Sequence, residues 1–155
     1  MAKIYIKPSP ISLTIQKEEL LYKYPSLIER IIIKDGCLSC IMKLRPSINS
    51  REYLIKIVQK IKKRPQVWML SPEIELYEEK KPHHIYGVDQ NGHTELCVYY
   101  PEYKEWDENT MFLADTFVPW AVTWLNTYEY WLVTGIWEYA ESPHSIKKKD
   151  MIRGK

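Results

Sequence analysis

The stretch from Ile28 to Ser71 constrains the fold of this chain more than any other, because it reads as four consecutive strands with no helix between them. Its first part, "IERIIIKDGCLSCIMKL", is two β-rich runs joined at Asp35-Gly36. That dipeptide suits a two-residue hairpin turn, since both turn residues must take positive φ. In the second run Leu38, Cys40, Met42 and Leu44 alternate with Ser39, Ile41, Lys43 and Arg45, as a half-buried strand requires. "REYLIKIVQKI" repeats the pattern, with Tyr53, Ile55, Ile57 and Ile61 on one face and Lys56 and Lys60 on the other. "RPQVWML" follows as a fourth strand, and the proline of "SPE" ends it. Four strands in a row form an antiparallel meander, and one face of such a sheet must be covered.

The C-terminal half supplies the cover. In "LADTFVPWAVTWLNTYEYWLVTG", Asp115 and Thr116 are candidate N-caps, Pro119 is tolerated in the first turn, and Gly135 is placed to end the helix. Phe117, Trp120, Ala121, Trp124, Leu125, Tyr128, Trp131 and Leu132 fall at helical spacing, a broad apolar face that reads as core. Although the run through Trp137 is strongly apolar, Pro119, Asn126 and Glu129 interrupt it, which argues against a membrane span. Before the sheet, "KIYIKPSP" is an extended start. "ISLTIQKEELLYKYPS" then predicts a loosely amphipathic helix, with Ile11, Ile15, Leu20 and Leu21 on its apolar side, ending before Pro25. The expected architecture is α+β: an N-terminal helix, a four-stranded meander, a cysteine-bearing loop and an aromatic-rich C-terminal helix. One domain is expected over 1–155, with its core at about 10–140 and a basic, solvated tail at 145–155.

Charge excludes little. The 22 Lys plus Arg against 20 Asp plus Glu leave +2, too little to imply a nucleic-acid partner, and the lysines of "KIKKRPQVW" read as the solvated face of a sheet. Three cysteines and no signal peptide point to a reduced, cytoplasmic protein.

Chemistry must come from the cysteines and histidines. Cys37 and Cys40 have C-x-x-C spacing, but a four-ligand zinc site needs a second pair and the chain has no other. His83, His84 and His93 with Cys97 could form a mixed ligand set, or a pair in which imidazole activates the thiol. Neither reading outweighs structural histidines, so no metal and no cofactor are expected. Cys97 stands apart: it lies between an apolar strand and the loop of "GHTELCVYYPEYKEW", where a thiol gains access.

The order of these segments carries a resemblance. "RPQVWMLSPEI" leaving the last strand, "HHIY", "GHTELCVYYPEYKEW" with its tryptophan nine residues after the cysteine, and a helix from about Asp115 resemble the ubiquitin-conjugating (UBC) fold over roughly residues 10–135. The blocks "HIY", "LCVYYPEYKEW" and "ADTFVPWAVTWLNTYEYWLVTGIW" are more similar still to the compact bacterial members found in antiphage CBASS operons of the short type II kind. Those members sit beside a cGAS-like nucleotidyltransferase (CD-NTase) and an effector, without a separate activating enzyme. The resemblance implies that Cys97 carries an acyl group as a thioester, that the partner is the C-terminal tail of the CD-NTase, and that a ubiquitin-like or activating protein is a further possible partner. It also implies that His84 organises the loop, with a catalytic role open to it, and that Trp106 and Tyr99 shape and shield the cysteine. The family's His-Pro-Asn is here His84-Ile85-Tyr86, without the asparagine linked to the oxyanion. Tyr86 or backbone amides are the candidate donors in its place, Asn91 being out of register. The alternative is a UBC-fold binding module that clamps its partner without turnover.

Overall fold

The computed structural model describes residues 8–98 and 106–137. Most of the extended start, Tyr99 and the basic tail lie outside the described residues.

Ser12 begins the first helix, α1 (Leu13–Lys23): its hydroxyl accepts from the Ile15 N–H at 3.1 Å, satisfying a donor that the first turn leaves unpaired. The strands β1 (Ile28–Lys34) and β2 (Cys37–Leu44) follow, and Asp35 and Gly36 between them both take positive φ, 52° and 70°, as the two-residue turn demands. Beyond β3 (Tyr53–Lys60) and β4 (Gln66–Ser71) the chain adds β5 (Ile85–Val88), which sequence reasoning missed, and β6 (Thr94–Leu96), the short strand expected before Cys97. The four-stranded meander is therefore part of a six-stranded sheet in the order β1-β2-β3-β4-β6-β5, antiparallel throughout. Both edge strands carry a register irregularity, between Ile28 and Arg30 in β1 and between Ile85 and Gly87 in β5. Ile61, expected on β3, lies beyond its end and is exposed.

After a single 3₁₀ turn (Leu113–Asp115), α2 (Phe117–Thr134) covers the sheet. Pro119 is its third residue, where a backbone N–H would have no intrahelical acceptor. Phe117, Ala121, Trp124, Leu125, Tyr128 and Trp131 are buried at helical spacing in one cluster with Leu38, Cys40, Met42, Ile55, Ile57 and Met69 of the sheet. Gly135 ends the helix in the left-handed region at φ 74°, its N–H donating to the Trp131 carbonyl. A Cβ there would lie 2.4 Å from the Tyr77 ring, so two independent reasons require glycine.

Two expectations need correction. The buried face of α1 is Gln16 and Leu20, whereas Ile15 and Leu21 are exposed. Asp115 does not cap α2: it pairs with Lys23 of α1, while Thr116 occupies the cap position and gives its hydroxyl proton to the Phe112 carbonyl instead. Both follow from one cause, the docking of α1 on the segment that precedes α2. The fully buried Gln16 side chain donates to the Met111 carbonyl at 3.0 Å and accepts from the Leu113 N–H at 2.9 Å. The Tyr24 hydroxyl donates to the Ala114 carbonyl at 2.7 Å. Gln16→Leu keeps the volume but strands a buried N–H and a carbonyl, so it is expected to cost about 2–3 kcal/mol, read as a lower urea midpoint at unchanged slope.

Candidate active site

The β5–β6 hairpin places Cys97. Asn91-Gly92 lies in its turn, with Gly92 at φ 78°, and the Asp89 N–H donates to the His93 carbonyl at 2.8 Å to close it. Ile85 pairs with Leu96, and one step further the Cys97 N–H donates to the His84 carbonyl at 2.9 Å, so Cys97 continues the ladder just past the strand end. The same carbonyl accepts the indole N–H of Trp124 at 3.0 Å. His84 itself takes φ 59°, a left-handed conformation that a non-glycine residue keeps only where its surroundings hold it. Here the hold comes from two sides: the ladder bond to Cys97 and the bond to the middle of α2.

His84 and Cys97 are thus brought together through main chain. The His84 imidazole packs with His83 and Trp137, ring centroids 6.3 and 5.8 Å away, and Trp137 in turn meets Trp124 edge-on at 5.2 Å. Cys97 is 9% exposed. Tyr86 sits within the β5 irregularity, about half exposed, with the Arg64 guanidinium 4.8 Å over its ring. Trp106 packs edge-on against Phe117 at 5.2 Å, anchoring the return of the chain toward α2.

The other candidates fall away from this place. Asn91 and His93 occupy the opposite end of the hairpin, separated from Cys97 by the three residues of β6, roughly 10 Å of strand. There Asp89 accepts from the N–H groups of Asn91 and His93; desolvation, the largest single influence on its carboxyl, acts upward, but those backbone bonds together with the nearby His93 and Lys56 hold it below its usual range. His93 is therefore no partner for Cys97 in a ligand set. Cys37 and Cys40, three apart on β2, point to opposite faces of the sheet, a placement that serves neither a chelate nor a dithiol. Among the described residues no group of three or more His, Cys, Asp or Glu side chains could hold a metal.

Burial pushes the Cys40 thiol up to about 12. Alkylation of the native protein at pH 8 with iodoacetamide is expected to leave Cys40 unmodified until denaturant is added, as peptide mapping would read. Modification of Cys40 at the rate of a model thiol would contradict its place in the core.

A cysteine just past a strand end, its main chain tied to His84, is what the sequence resemblance leads one to look for, and comparison with known families supplies the family. Residues 16–145 match the family model of the Type II CBASS E2 protein. The chain belongs to this family. Membership of an E2-like family implies the UBC fold, and the helix, antiparallel sheet and aromatic C-terminal helix agree with it. The search of curated proteins returned no match. Tyr86 stands on β5, and the nearest asparagine in sequence, Asn91, lies at the far end of the hairpin. What sequence reasoning missed is Trp124 as the partner of His84, together with the hairpin itself. Asn91-Gly92 is a turn dipeptide of the same kind as Asp35-Gly36 and could have revealed the hairpin. No helix among the described residues is long and apolar enough to cross a membrane.

Proposed function

We propose that this E2-like protein carries an acyl group on Cys97 and that the acyl donor is the C-terminal tail of a cGAS-like nucleotidyltransferase, whose signalling it regulates in antiphage defence. The observation that supports this best is the position of Cys97: a thiol just past a strand end, its main chain tied to His84, and His84 tied to the core by Trp124. A nucleophile needs such placement, because a small misalignment costs rate steeply.

The reaction balances as an acyl exchange. The Cys97 sulfur attacks the carbonyl carbon of an already activated tail, a C–S bond forms, the thiol proton passes to solvent or the departing group, and the activating group leaves with the electron pair of the bond it gives up. An amine then attacks the thioester, an amide forms, and the thiol returns with a proton from the amine. A free carboxylate does not acylate a thiol without energy input, so activation precedes this step. That is where an activating or ubiquitin-like partner has its place. In this reading His84 positions the loop through its backbone, and the Tyr86 hydroxyl is the candidate oxyanion donor among the described side chains.

One observation favours the second reading, a binding module that clamps the same tail without turnover: Asn91 is held in the far turn of the hairpin, and no asparagine takes its place beside Cys97. Intact-mass spectrometry under non-reducing conditions, after incubation with the nucleotidyltransferase, separates the two. A hydroxylamine-sensitive adduct mapped to the peptide holding Cys97 is the expected result. A stable complex with no covalent adduct would establish the clamp instead.

A further inference from the structure

The end of the sheet that carries Cys97 also carries the strongest charge feature of the described chain. Residues 60–64 read "KIKKR", four cations in five positions. Lys60, Lys62 and Lys63 make no ion pair among the described residues. Lys60, Lys63 and Arg64, with Val58 and Gln66, line a concavity of about 390 Å³.

Two links join this concavity to Cys97. The Val67–Leu96 pair is the last between β4 and β6, and one step beyond it lie Gln66 at the start of β4 and Cys97 just past the end of β6. Arg64, at the other side, reaches over the ring of Tyr86. By strand alternation Gln66 and Glu95 share the outer face, where the Glu95 carboxylate accepts from the Gln66 amide at 3.4 Å. Among the described residues Lys60, Lys62 and Lys63 leave this end of the sheet with a positive excess.

We propose that this surface is the docking site for an acidic stretch of the tail that is loaded onto Cys97, and that it selects acyl donors with Asp or Glu upstream of their reacting terminus. The inference rests on Cys97 as the acyl carrier, and it names the chemistry of the donor. Charge complementarity favours a peptide over a nucleic acid here, because the surface opens beside a thiol that reacts with a chain terminus. A channel tracking a phosphate backbone would also be expected to offer stacking rings along its length. Among the described residues, Tyr86 at its margin already has a face covered by Arg64, and Trp68, on the outer face beside Gln66, is only partly exposed.

The test uses two synthetic peptide thioesters with the same C-terminal residues, one with aspartates upstream and the other with asparagines. Transfer to the full-length protein is followed by intact mass. Wild type is expected to load the acidic peptide on the order of tenfold faster at low ionic strength. That advantage should disappear near about 1 M salt, where screening acts within about 3 Å, and in Lys60→Glu/Lys63→Glu, which should load the asparagine peptide as wild type does. Equal loading of the two peptides by wild type would overturn the docking site and leave Cys97 chemistry standing. Should neither peptide load, the acyl-carrier reading fails. The surface is then judged by fluorescence anisotropy of the same labelled acidic peptide: salt-sensitive binding that the double variant loses upholds it, and no binding overturns it. Tighter binding of a single-stranded oligonucleotide of equal charge would also overturn it, by making the surface a nucleic-acid site.

Discussion

Cys97→Ala is expected to fold as wild type does, to bind the nucleotidyltransferase proposed as its partner and to form no adduct at all. The fold should survive because the side chain lies at the boundary of the core and the bond that orders the loop is made by the Cys97 backbone N–H, which alanine retains. A change in unfolding free energy of less than about 1 kcal/mol is expected from losing one sulfur at such a place. The chemistry should not survive, because no other thiol can substitute. Cys40 is fully buried with its thiol pushed up to about 12, and Cys37 starts β2 at the hairpin beside β1. The informative control is Cys40→Ala, which should lower stability through the small void it leaves and still form the adduct. An adduct that persists in Cys97→Ala would sink the proposed acyl transfer, and so would a variant that supports the same defence outcome as wild type.

The second large effect is at Trp124. Its side chain is fully buried, stacks on Tyr128 at 5.2 Å and meets Trp137 edge-on, so Trp124→Ala is expected to cost about 3–5 kcal/mol and to approach the whole stability of a small domain. Trp124→Phe divides the role of the ring from that of its N–H. Phenylalanine keeps most of the packing and loses the donor to His84. That carbonyl retains the Cys97 N–H, so the stability cost should be only about 0.5–1.5 kcal/mol. The rate of Cys97 loading should fall several-fold more than this change in stability accounts for, because the left-handed His84 loses one of its two holds. A Trp124→Phe protein that loads Cys97 at the wild-type rate would show that the indole serves packing alone.

Legibility in the sequence followed how local the determinant was. The β1–β2 hairpin could be read because Asp35-Gly36 dictates its own turn, and α2 could be read because its aromatic spacing and Gly135 are local signals. The buried face of α1 could not, since it is organised by a glutamine. Gln16 looks solvent-facing until Met111 and Leu113, close to a hundred residues on, supply its partners. Asp115 was misread as a cap for the same reason, its partner Lys23 being on another helix. At the candidate site, resemblance in the surrounding residues is what singled out Cys97 and His84. Their actual relationship, two main chains joined across a short hairpin and braced by an indole, depends on a strand pairing that a three-residue β6 scarcely announces.

The irregularities in β1 and β5 have a consequence for the protein outside its own fold. An open six-stranded sheet has two edge strands, and outward backbone groups along such edges are the route by which copies of a chain join strand to strand. The register irregularity at each rim breaks the even spacing that such growth requires, and Arg30 and Lys34 add charge along the β1 rim, so both edges carry features that oppose strand-to-strand joining.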